Sequence, residues 1–130
     1  MITRVNPDTL HRNPAYTQAA IVDSSARYVY VGGQNAVNAQ GEIVGDNLAD
    51  QTVQAIKNVV AALEACGASL KDVFKMTIYI VQGQPIQEGF MATQQFQELS
   101  THPPTISGIF VAGLAHPAFL IEIEAVAAIK

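Results

Sequence analysis

The run Val73-Phe74-Lys75-Met76-Thr77-Ile78-Tyr79-Ile80-Val81 constrains the fold more than any other segment of the chain. Phe74, Met76, Ile78 and Ile80 recur on one side, and Lys75, Thr77 and Tyr79 on the other. Successive strand residues point to opposite faces, so the run predicts a strand with one buried side. Something must cover that side. The preceding segment supplies a partner: Leu48, Val53, Ile56, Val60 and Leu63 fall at helical spacing over residues 47–66. Asp46 or Asn47 can cap its start, and Gly67 sits where a helix-ending glycine belongs.

The flanking segments complete a layered pattern. Residues 1–17 are polar and carry Pro7 and Pro14, which predicts an extended, loop-rich stretch. Ala20, Val22 and Tyr28-Val29-Tyr30-Val31 predict two short strands around a turn at Asp23-Ser24-Ser25, the second ending at Gly32-Gly33. A turn at Asn38-Ala39-Gln40-Gly41 precedes a short Glu42-Ile43-Val44 stretch. Residues 86–99 read as a second helix, with Ile86, Phe90, Ala92 or Thr93, Phe96 and Leu99 turned inward and Pro103-Pro104 beyond its end. Strands over 105–112 and 119–128 close the chain. The order predicts one α+β domain over residues 1–130, a mixed β-sheet with two helices packed on one face. Hydrophobic residues make up 49% of the chain and charged ones 14%, so a neighbouring subunit is expected to cover the remaining sheet face.

Charge narrows the functional classes. The net charge is −4, and the seven lysines and arginines are scattered, with none at all over residues 76–129. Nucleic-acid binding relies on clustered cations, so no nucleic-acid partner is expected. No apolar run approaches the roughly 20 residues that span a bilayer, and Met1-Ile2-Thr3-Arg4 lacks the apolar stretch of a signal peptide. With Cys66 as the single cysteine, a cytoplasmic protein without membrane contact is expected. His11, His102 and His116 stand far apart without ligand spacing, so no metal and no cofactor are expected. Cys66 lies at a helix C-terminus, where the local field does not favour a thiolate. Gly32-Gly33 follows a strand without a phosphate-binding motif after it, and reads either as a tight strand exit or as amides open to a small anion.

Glu122 and Glu124 are the remaining candidates. Two residues apart on a strand, they share a face with Leu120 and Val126. Glu122 fits two readings: a solvated strand residue, or a carboxylate partly buried at an interface, where desolvation would raise its pKa and suit it to proton transfer. Glu124 reads as the solvated one.

Several segments in order are similar to the Rid family, the reactive-intermediate (imine) deaminases, also described as endoribonuclease L-PSP-like. They are Pro14-Ala15-Tyr16-Thr17-Gln18-Ala19, Val31-Gly32-Gly33-Gln34, the helix from Gln51 to Gly67, Asp72-Val73-Phe74-Lys75-Met76-Thr77, Pro103-Pro104-Thr105-Ile106-Ser107-Gly108 and Ile121-Glu122-Ile123-Glu124-Ala125. The resemblance implies a chorismate-mutase-like fold and a homotrimer with a central barrel-like core, holding small-molecule ligands in inter-subunit clefts. In deaminating members an arginine grips the carboxylate of a 2-imino acid, while backbone groups and a glutamate with a water hydrolyse the C=N bond. By position the cleft here includes Tyr16, Gly32, Gly33, Thr93, Ile106, Gly108 and, as the catalytic residue, Glu122. The sequence departs from the pattern at Gly32, often serine, at Thr93, often asparagine, and at Ile106, where the arginine belongs. The segment between Phe96 and Pro104 is also shorter than in many members. An arginine fork gives charge-assisted hydrogen bonds that isoleucine lacks, so a less acidic, more apolar ligand is expected. Arg12 is the one arginine suited to substitute. The implied function is small-molecule binding at trimer-interface clefts with weak or altered enamine or imine hydrolase activity. The alternatives are a genuine 2-imino acid deaminase anchored through Arg12 or backbone amides, or a chaperone-like or ribonuclease role.

Overall fold

Helix α1 (Leu48–Ala65) forms where the apolar spacing predicts it. The Asn47 side chain accepts the Asp50 amide at 2.8 Å and so satisfies one of the free N–H groups of the first turn. At the other end Gly67 adopts φ +77°. Its amide donates to Glu64, and that of Ala68 to Leu63, the paired bonds of a glycine-terminated helix. A computed structural model describes all residues 1–130, and the other elements are placed around this helix. They are strands β1 (Ile2–Val5), β2 (Ala19–Val22), β3 (Arg27–Gln34), β4 (Val73–Val81), β5 (Thr105–Val111) and β6 (Ile121–Ile129), with helices α2 (Ile86–Thr93) and α3 (Gln97–Thr101).

The main sheet has the order β3-β6-β4-β5. β6 runs antiparallel to both neighbours, and β4 and β5 are parallel. The β4–β5 crossover carries α2 and α3 over the same face that α1 covers, which gives the predicted mixed α+β layer. Leu48, Ala55, Ile56, Val59 and Leu63 of α1 pack with Val73, Met76, Ile80, Ile121 and Ile123 of the sheet in one apolar core. The interior face of β6 is Ile121, Ile123, Ala125 and Ala127, all buried, while Glu122, Glu124 and Val126 alternate to the other face.

Five expectations need correction. The N-terminal segment contains a strand: β1 pairs with β2 in a separate two-stranded sheet. β2 and β3 therefore do not pair with one another across their turn. Arg4 fixes this small sheet in place, donating from Nε to the Pro103 carbonyl at 3.1 Å and from Nη2 to Val73 O at 3.3 Å. Burial lowers the pKa of its guanidinium, opposed by the charge of Asp72. Second, Phe74 does not share the buried face of Met76. The β4–β6 register shifts between Val73 and Lys75, a bulge that adds one residue. Phe74 is half-buried, with its ring 6.0 Å from that of the exposed Tyr28.

Third, residues 86–99 do not form one helix. α2 ends at Thr93 and α3 begins at Gln97. The Thr93 hydroxyl caps the Phe90 carbonyl at 2.6 Å, and Phe96 turns toward the core. Ile86 and Phe90, expected inward, are more than 40% exposed. Fourth, the buried stripe of α1 includes Val59, Gln51 and Thr52, and Val53 and Val60 only flank it. Gln51 is buried because it serves three backbone groups: it donates to Gly45 O and Ala118 O, and accepts from Leu120 N. Fifth, Glu42-Ile43-Val44 makes only an isolated bridge, between Ile43 and Val37.

Candidate functional site

Glu122 stands on the sheet face that no helix covers. The surface it rests on is shaped by an irregularity in β3. Two residues separate Val31 from Gln34, while one separates their partners Ala125 and Ile123. The extra residue makes a bulge at Gly32-Gly33, a device that often re-aims groups beside active sites. Gly33 lies directly against Glu122: a Cβ built on it would overlap the carboxylate and come within 2.9 Å of Glu122 Cγ. Only glycine allows this approach. Gly32 has open space around it.

A polar relay from α1 orients the carboxylate. Gln54 donates to Asn58 Oδ1 at 2.9 Å, and Asn58 Nδ2 donates to the carbonyls of Asn35 and Val37. Asn35, held this way, donates through Nδ2 to Ile121 O at 3.0 Å and to Glu122 Oε1 at 3.3 Å. Tyr79 lies across from Glu122 in the β4–β6 register, and its hydroxyl donates to Glu124 Oε1 at 2.9 Å. That hydrogen bond raises the Tyr79 pKa, assisted by desolvation and by the negative charges of Glu124 and Glu122. Glu124 is thus bound to a tyrosine as well as half-exposed.

A second feature lies on the opposite, helix-covered face. A cleft of about 480 Å³ opens between α2, β5 and the loop at residues 13–16. Tyr16, Thr93, Ile106 and Gly108 line it, together with Phe90 and Ile86. Met76, Ile78, Ile121 and Ile123 form its sheet-side floor. The β4–β5 register sets Ile106 beside Met76 and Gly108 beside Ile78, which turns both toward the helices. Tyr16 is the only titratable side chain in the lining. Its hydroxyl lies 2.7 Å from His11 Nε2.

One chain therefore brings the expected residues together in two groups. Gly32, Gly33 and Glu122 meet on one face, and Tyr16, Thr93, Ile106 and Gly108 on the other. Arg12 joins neither. It is exposed, and donates to Asn6 O at 3.0 Å, with Asp8 4.0 Å away. Sequence reasoning missed Asn35 and the Tyr79–Glu124 pair, because both act through partners distant in the chain. An Asn within three residues of Gly32 was the available signal. No group of three or more His, Cys, Asp or Glu side chains is placed to hold a metal ion, and no helix is long and apolar enough to cross a membrane.

Comparison with known proteins adds a family. The model of the family described as Endoribonuclease L-PSP matches residues 7–129. Among solved structures, the Rid-family protein YyfB of Yersinia pestis superimposes with a TM-score of 0.88 at 33% identity, covering 98% of each chain. TdcF of E. coli, solved with bound serine, gives 0.71 at 34% identity over 84% of this chain and 85% of that one. The human 2-iminobutanoate/2-iminopropanoate deaminase is 30% identical over 113 residues, 86% of this chain and 78% of its own. A RutC family protein of Pyrococcus horikoshii matches at 39% over 66 residues, only half of either chain. These likenesses bear out the chorismate-mutase-like α+β fold.

Proposed function

We propose that this chain, which belongs to the endoribonuclease L-PSP (Rid) family, binds small molecules between subunits of a homotrimer and hydrolyses C=N bonds weakly or with altered specificity. In such an assembly the Glu122 face of one subunit meets the Tyr16 cleft of the next. Exposed Tyr28, Tyr30 and Ile109 on strands β3 and β5 support burial against a neighbour.

The single observation that carries the reading is the held carboxylate: Glu122 packed on bare Gly33 and hydrogen-bonded by Asn35. An imine is hydrolysed when water adds to its carbon. Glu122 takes one proton from that water and returns it to nitrogen. The hydroxyl of the resulting carbinolamine then gives its proton to nitrogen as the C–N bond breaks, leaving a carbonyl and ammonia. A positioned general base of this kind contributes about 10²–10⁴-fold. Weak or altered activity follows from the missing carboxylate anchor, since Ile106 offers no donor and Arg12 is engaged with Asn6. The relatives named as 2-iminobutanoate deaminases favour a second reading, true 2-imino acid deamination with another anchor.

The test is ammonia release from 2-imino acids generated in situ, by the wild-type chain and by Glu122→Gln. The expected result is slow release that Glu122→Gln abolishes. Release indifferent to Glu122→Gln would remove the carboxylate from the mechanism. Fast release lost in Arg12→Ala would establish the second reading. Sedimentation at micromolar concentration reports the trimer independently.

A further inference from the structure

The cleft beneath α2 has a chemistry of its own. We propose that it is a binding slot for an uncharged, largely hydrocarbon or aromatic group, and that it selects against ligands carrying a carboxylate. This rests on the composite-site reading above and names the ligand class that the site takes.

Charge is the first argument. The lining contains no lysine, arginine, histidine, aspartate or glutamate, and its only titratable group is Tyr16. A carboxylate entering a largely apolar site without a cationic partner loses hydration that uncharged donors repay only in part. The two nearby arginines are committed elsewhere, Arg4 to backbone carbonyls and Arg12 to Asn6 O.

The hydroxyls in the slot are the second argument. Thr52 donates to Leu48 O at 2.7 Å and Thr93 to Phe90 O at 2.6 Å. Both protons are spent inside their own helices, so neither is free for an anion. Tyr16 is engaged with His11 at the rim. What remains is mainly apolar surface, isoleucines from β4 and β6 beneath with Phe90 and Ile86 at the mouth, and four uncharged polar side chains, Asn13, Gln87, Gln94 and Ser100.

Size is the third. An apolar cavity of about 150 Å³ already holds benzene, whereas this cleft measures about 480 Å³. A two-ring aromatic or a medium alkyl chain fits it. The exposure of Ile86 and Phe90, unusual for large apolar residues on a helix facing its own sheet, is explained if a ligand covers them.

Two probes of the same shape test the charge rule: 2-naphthamide and 2-naphthoate, titrated into the full-length protein by calorimetry at pH 7. The amide is expected to bind at least tenfold tighter than the acid. Gly108→Leu plugs the slot, because nothing lies within 4 Å of a Cβ at Gly108; it should weaken the amide at least tenfold. Ile106→Arg should invert the preference toward the acid. Equal binding of both probes to the wild type, binding of neither, or amide binding unchanged by both substitutions overturns the proposal. Binding is read without turnover, so an inactive enzyme that keeps the amide preference would refute only the hydrolase reading.

Discussion

The two faces of the main sheet share the same strands but solve opposite problems. Beneath the helices, side chains are apolar, and the few buried polar groups, Gln51 and Thr52, are hydrogen-bonded to backbone. On the uncovered face stand Glu122, Glu124, Tyr79 and Lys75, with the bulged glycines beside them. Strand alternation alone puts them there: in β6, the residue that faces the core and the residue that carries a charge are always neighbours. The helix-covered face supplies stability and an apolar slot, while the uncovered face holds Glu122, the proposed acid–base group. On that proposal, chemistry and folding should be separable by mutation.

The hardest test of that separation is Glu122→Gln. It should lower turnover about 10²–10⁴-fold and leave the thermal midpoint nearly unchanged. A large loss of stability with little loss of turnover would break the comparison at its centre.

Gln51→Ala probes the other face. It strands two carbonyls and one amide, and each unmade buried hydrogen bond costs about 1–3 kcal/mol. A stability loss of about 2–4 kcal/mol is expected in urea unfolding, with the acid–base step intact in the molecules that remain folded. A loss below about 0.5 kcal/mol, the range of ordinary surface substitutions, would show that the Gln51 bonds are replaced by water.

Gly33→Ala sharpens the comparison at the glycine bulge. The added methyl displaces the Glu122 carboxylate, and turnover should fall about tenfold, equivalent to about 1.4 kcal/mol, with a smaller change in stability. Unchanged turnover would mean that the carboxylate needs no fixed seat.

Tyr79 carries the smallest effect. Its pKa is raised above the ordinary 10.0, so the folded state favours the protonated phenol. That contribution is fully present below about pH 10 and is lost as pH rises through the folded value. Tyr79→Phe should therefore lose less stability than the wild type as pH rises above about 10. Parallel pH curves for the two proteins would discount the Glu124 bond.

Much of this was legible in the chain. The α1 periodicity, its Gly67 terminus and the β6 alternation are local patterns, and each element forms where its own residues require. The same holds for the pairing of Glu122 and Glu124 on one face. The misreadings share a cause. β1 is four residues long and is stabilised by pairing and by Arg4, which reaches carbonyls across the chain. The Phe74 bulge exists only in the register between β4 and β6. After Thr93 the helix gives way to a turn in which Phe96 packs against the core, a contact with residues distant in the chain.

Period and composition alone determined the layered α+β order, the half-buried sheet and the candidate carboxylate, because hydrophobic spacing acts over a few residues and needs no partner. Tertiary packing decided which face each candidate occupies. It set Glu122 against Gly33 and Asn35, and turned Ile106 and Gly108 into a slot without charge. Register and crossover are settled only when distant strands meet, since a shift of a single residue sends every side chain to the other side of the sheet.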